Sequence, residues 1–174
     1  MAAGASALAL SGCGADHQPR GLPARPCSAT QLSATGGWQG ATGTMLGVII
    51  LGNRGPSPCA LQGYVGVALL DAQGHALAVR VQHRGTIGDA GLDGPVVTRP
   101  VVLRAKTRVS AAIGLRWSNW CGPEPGSDGV VGVEITVDGS RLAVPPGGNW
   151  AVPSCRRATE PSVLEEGPVQ APVA

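Results

Sequence analysis

The side chains able to do chemistry in this chain are five cysteines, three histidines, a sparse set of carboxylates and four tryptophans. His17 stands apart near the start, and His75 and His83 lie eight positions apart at opposite ends of one strand-like run, so they do not converge on a metal. A blue-copper site needs two histidines, a cysteine and usually a methionine at one end of the fold, and Met45 falls inside an apolar run. No CxxC pair occurs, so a four-thiolate zinc site lacks its usual spacing. No metal and no cofactor are expected. A serine hydrolase would want a G-x-S-x-G elbow, and none is present. A glycosidase needs two carboxylates facing across a cleft. Here Glu134 is the strand-borne acid, while Asp89, Asp93, Glu124 and Asp128 sit among Gly and Pro, where acids serve as solvated turn formers. Asp89 and Asp93 also lack EF-hand spacing. No catalytic residue is expected. Of the tryptophans, Trp117 follows a strand alternation and belongs to the core, and Trp120 stands beside Cys121, where it is expected to cover a disulfide. Trp38 and Trp150 occur in the glycine-rich stretches Gly36-Gly37-Trp38 and Gly148-Asn149-Trp150. In loops they become candidate ligand contacts, because indole carries much apolar area at low entropic cost.

The cysteines sort by position. Met1 to Gly12 is small, apolar and uncharged, and too short for a bilayer, which takes about 20 apolar residues. It reads as the end of a secretory signal. The run closes on Leu10-Ser11-Gly12-Cys13. That tetrad resembles the bacterial lipobox: a leucine, two small residues that let a peptidase grip extended backbone, and a cysteine whose thiol takes a diacylglyceryl group. Cys13 is therefore expected to anchor the chain to the membrane through lipid. A signal peptide opens with Lys or Arg; none precedes Cys13, which predicts a misassigned start or a chain truncated upstream. With Cys13 acylated, Cys27, Cys59, Cys121 and Cys155 remain, an even number suited to an oxidising compartment. Four cysteines allow three pairings. The sequential one, Cys27–Cys59 and Cys121–Cys155, is favoured; each bridge then closes a loop worth roughly 3–4 kcal/mol by chain entropy.

Those cysteines need elements to hold them. The chain has 174 residues, of which 43% are hydrophobic, enough for one domain with a core. Only 14% are charged, against about 25% in an ordinary domain. The 27 Gly and 15 Pro argue against long helices. A net charge of +2 gives no nucleic-acid footprint. Lys106 is the single lysine and phenylalanine is absent, a bias that points to GC-rich codons and a high-GC bacterial genome. Met45 to Leu51 and Tyr64 to Leu70 are compact apolar runs. Leu77, Val79 and Val81, then Val109 to Trp117, then Val131 to Val137, alternate with period two, as half-buried strands do. Pro95 to Leu103 is broken by Pro100 and belongs at an edge or bend; Arg141 to Val144 completes the set. Asp138-Gly139 is a hairpin turn, and Asp71 to Gly74 and Asn53 to Pro58 are further turns. About seven short strands predict an all-β fold over residues 27–155, an antiparallel immunoglobulin-like sandwich first and a small barrel second. A signal remnant is expected over 1–12, the lipid cysteine and a flexible tether over 13–26, and a disordered tail over 156–174, the last from its Pro and Glu content.

Several of these segments together resemble one known family. They are Cys27 with Gln31-Leu32, Met45 to Asn53, Pro58-Cys59-Ala60-Leu61-Gln62-Gly63-Tyr64 and the Asp71 to Gly74 turn, with Trp117-Ser118-Asn119-Trp120-Cys121 and Pro153-Ser154-Cys155 later in the chain. The family is the actinobacterial exported domain of unknown function 4232. The chain departs from it at Tyr64-Val65, where the family usually has proline after tyrosine. The resemblance implies an immunoglobulin-like sandwich, an extracytoplasmic position and often a lipid anchor, and it implies no catalytic residues. The expected protein is a non-catalytic binding or structural module of the bacterial cell envelope, anchored to the outer face of the cytoplasmic membrane. Its expected partners are that membrane and a cell-wall glycan or envelope protein, with no nucleic acid. The alternative is a sensor or accessory subunit of a membrane protein; a hydrolase on a sandwich scaffold is the third reading.

Overall fold

A computed structural model describes residues 24–41, 43–85, 98–125, 131–145 and 151–171. One short 3-10 turn, η1 (Ala29–Gln31), precedes ten strands: β1 (Leu32–Ala41), β2 (Thr44–Asn53), β3 (Cys59–Leu61), β4 (Gly66–Leu70), β5 (Arg80–His83), β6 (Val101–Leu103), β7 (Thr107–Ser118), β8 (Gly132–Val137), β9 (Ser140–Ala143) and β10 (Val163–Glu166). They form a five-stranded sheet of order β1-β2-β7-β10-β5, a pair β3-β6 and a three-stranded sheet β4-β8-β9. All pairings are antiparallel except β10 with β5, which run parallel, so the large sheet is mixed. No helix among the described residues is long and apolar enough to cross a membrane.

Period-two side chains explain the layers. In β7, Ala111, Ile113, Leu115 and Trp117 are fully buried while Arg116 between them is exposed. In β8, Val133, Ile135 and Val137 face the same way into the core. One buried cluster joins these to Ile49 and Leu51 of β2, Leu69 of β4, Leu103 of β6 and Leu164 of β10. The β8–β9 hairpin turns on Asp138 and Gly139 with φ of 50° and 70°, the left-handed pair a two-residue hairpin demands. Asp71 shapes the β4–β5 turn: its Oδ1 accepts the amides of Gln73 and His75 at 2.9 and 2.8 Å.

Three expectations need correction. The strands number ten among the described residues, not about seven, and they lie in three sheets. Residues 156–174 are not a disordered tail throughout, because Val163–Glu166 is a strand inserted between β7 and β5. Its acidic, proline-flanked sequence hides a period-two pattern in which Leu164 and Glu166 are both buried, and Gly167, Pro168 and Val169 after it are buried too. The domain therefore does not end at residue 155. Finally, Val81 sits on the inward face, opposite Leu164, yet stays exposed because β5, among the described residues, is the edge strand of its sheet.

Candidate functional site

Both expected bridges are formed. Cys27–Cys59 and Cys121–Cys155 join residues 32 and 34 positions apart. The first lies in the core, with each cysteine 1% exposed, and ties the entering chain to β3. The second is exposed and ties the segment after β7 to the segment that leads into β10. Beside it, Asn119 (φ 60°) clamps that segment: its Oδ1 accepts the amides of Arg156 and Arg157, and its Nδ2 donates to the carbonyls of Arg157 and Glu160, all at 2.9 Å. Asn53, wholly buried, does the same for the β2–β3 connection, accepting from Gly55 N–H at 2.8 Å and donating to the Ser57 and Leu103 carbonyls at 2.8 and 3.2 Å. Asn119 went unnoticed in the sequence; the signal was an asparagine immediately before a Trp-Cys pair.

Trp38 is not in a loop. It lies within β1, is only 6% exposed, and its ring stands 5.5 Å from that of Trp117. Its glycine neighbours misled the sequence reading. Across the strand pair a glycine makes room for the indole: Gly47 is its register partner, and a Cβ at Gly47 would lie 2.8 Å from the Trp38 Cβ. Trp120 packs on Trp117 at 5.6 Å and donates its Nε1 proton to the Pro123 carbonyl at 3.0 Å. Trp117 itself donates to Ser162 Oγ at 2.7 Å, which stitches β7 to the β10 segment. Trp150 and Cys13 lie outside the described residues, as do His17, Asp89, Asp93 and Asp128.

Over the β1–β2 hairpin, residues 35–39 and 46–48 line a shallow, open groove of about 580 Å³. Val48, an exposed apolar side chain, forms part of it. Its floor is low because Val48 pairs with Gly37 on one side and Gly114 on the other, and neither glycine brings a side chain.

The chemistry of the inner face gathers at the other edge of the same sheet. The register row Gly47–Leu115–Glu166–His83 runs across it. Glu166 is 0% exposed, and among the described residues no group meets hydrogen-bond geometry with either carboxylate oxygen, the Val65 amide only lying near. Burial pushes its pKa up from 4.5 to about 8, against the opposing pull of the Val65 backbone amide. It is therefore a neutral acid at neutral pH. Its Oε2 lies 3.7 Å from Nε2 of His83, whose half-exposed ring is stacked on Tyr64 (centroids 4.1 Å, planes 8° apart). Tyr64 in turn donates its hydroxyl proton to the Arg84 carbonyl at 2.9 Å. On the opposite face of β10, Glu165 pairs with Arg84 at 3.0 Å and Arg116 at 3.5 Å. Glu134, the acid singled out in the sequence, is elsewhere, paired with Arg141 at 3.5 Å. Among the described residues no three His, Cys, Asp or Glu side chains gather to hold a metal.

Comparison with known proteins places these features in one frame. Residues 27–168 match the sequence model of a family described as a domain of unknown function (DUF4232). The match runs through β10, so the family's domain includes the strand that the sequence reading left in the tail. No curated protein and no solved structure matches the chain.

Proposed function

Because the chain belongs to the DUF4232 family, whose description assigns no activity, we propose that it is an exported binding or structural module of the bacterial envelope, with an immunoglobulin-like arrangement of its sheets. Lipid on Cys13 holds it to the outer face of the cytoplasmic membrane. It does no catalysis, and it meets a cell-wall glycan or envelope protein through exposed loop and hairpin surfaces. The two disulfides carry this reading: such bridges persist in an oxidising, extracytoplasmic compartment and are rare in a reducing cytosol. The lipobox-like Leu10-Ser11-Gly12-Cys13 adds the anchor, and the open groove beside Val48 offers a contact surface. Mass spectrometry of the native protein tests it. The expected result is material in the membrane fraction with a diacylglyceryl group on Cys13 and both bridges closed. Cytosolic material, unacylated and with five free thiols, overturns it.

A further inference from the structure

Among the described residues, one end of the domain gathers exposed basic side chains. The chain enters the described fold at Ala24 to Cys27, where Pro26 bridges Ala60 and the Arg25 carbonyl accepts the Ala60 amide at 2.8 Å. Just beyond, three backbone links draw separate segments together. The Gln31 carbonyl accepts from Arg54 N–H at 2.7 Å, the Gly55 carbonyl accepts from Lys106 N–H at 3.2 Å, and Asn53 is the register partner of Thr107. The β2–β3 connection, the β6–β7 turn and the start of β7 thus meet, and with them Arg54, Arg104, Lys106 and Arg108. All four are exposed. None of them is in an ion pair among the described residues, whereas Arg84, Arg116, Arg141 and Arg157 are each held by a glutamate. Residues 52–62 and 98–109, which carry these cations, and residues 24–34 contain no Asp or Glu. The overall charge of +2 conceals this local excess.

We infer that this basic end, centred on Arg54, Arg104, Lys106 and Arg108, is a docking face for an anionic phospholipid surface. Charge complementarity argues for it: clustered, unneutralised cations gain most where phosphates are dense. Position argues for it too, since the chain arrives from its N-terminal side next to this face. The orientation rests on the proposed lipid at Cys13; from there to Ala24 the chain reaches about 40 Å at full extension, which keeps the domain close to the headgroups. Each cation near an anionic surface favours binding about fivefold, so four give a preference of several hundredfold at low salt. Salt shortens the screening length from about 10 Å at 0.1 M to about 3 Å at 1 M and erases it.

The test uses the full chain as Cys13→Ser, so that lipid plays no part, in co-sedimentation with large vesicles. The expected result is binding to phosphatidylglycerol–phosphatidylcholine vesicles at 50 mM salt, none to phosphatidylcholine alone, and release by 0.5 M salt. The variant Arg54→Gln/Arg104→Gln/Lys106→Gln/Arg108→Gln, with an unchanged circular dichroism spectrum, loses at least 100-fold of that affinity. A control, Arg80→Gln/Arg116→Gln, keeps it. Equal binding to both vesicle types, no binding at 50 mM salt, or a fourfold variant that still binds overturns the inference. So does binding of soluble polyphosphate without vesicle binding. Because acylation is absent from the assay, an unmodified Cys13 in native material would sink the anchor and leave this result standing.

Discussion

Removing the two bridges separately should give unequal losses. Their loops are nearly equal, with separations of 32 and 34 residues, so chain entropy assigns each about 4 kcal/mol. Burial separates them. Cys27 and Cys59 are each 1% exposed within the core, whereas Cys121 and Cys155 are exposed. Cys27→Ala/Cys59→Ala therefore also empties sulfur-sized space in the core, adding about 1–2 kcal/mol. Cys121→Ala/Cys155→Ala adds nothing of that kind, and the Asn119 clamp still holds the segment after Cys155. Urea unfolding should place the first variant about 5–6 kcal/mol below the parent and the second about 4 kcal/mol below. Access to solvent gives a second readout. Under limiting dithiothreitol with thiol labelling, Cys121 and Cys155 should label first, while the fluorescence of Trp117, fully buried, stays unchanged. Equal losses from the two variants, or labelling of Cys27 and Cys59 first, would refute the reasoning from burial.

Three further outcomes follow from the same contacts. Glu166 has its folded pKa raised from 4.5 to about 8, so it favours the folded state fully below about pH 4.5, and that contribution fades as pH climbs through 8. The loss is about 1.4 kcal/mol per pH unit within that window and at most about 5 kcal/mol in all; Glu166→Gln should flatten this slope in urea titrations at pH 5, 6.5 and 8. Asn119→Ala removes four hydrogen bonds to residues 156–160 and should cost about 2 kcal/mol, with faster tryptic cleavage after Arg156 and Arg157. Gly47→Ala sets a methyl 2.8 Å from Trp38 Cβ; it should destabilise by about 1–3 kcal/mol and alter tryptophan fluorescence.

The elements legible in the sequence were those whose pattern coincides with their burial. Val131 to Val137 alternates and is buried on alternate positions, and Asp138-Gly139 turns where a positive-φ pair is needed. The cysteine pairing was legible because spacing alone favoured neighbours. β1 was not, because Gly36, Gly37 and Gly40 read as loop residues, while the strand they belong to lays Trp38 over the register partner Gly47 of β2, where a Cβ would not fit. β10 was hidden for the opposite reason. Its inward Glu166 violates the rule that strands bury apolar residues, and only a third dimension shows that the carboxyl sits behind His83 and Tyr64. The basic end escaped notice because its residues come from three distant stretches, whose meeting depends on Asn53 and Gly55.

The parallel seat of β5 sets an order of events in time. Among the described residues, Arg80 to His83 borders only β10 in its sheet, whose residues follow far later in the chain. Until Val163 arrives, β7 presents a bare flank and β5 has nowhere to settle, so the growing polypeptide carries an unfinished seam. Maturation is then governed by the last stretch to emerge: a chaperone guarding that flank would speed it, and clipping ahead of Ser162 would leave the sheet permanently open.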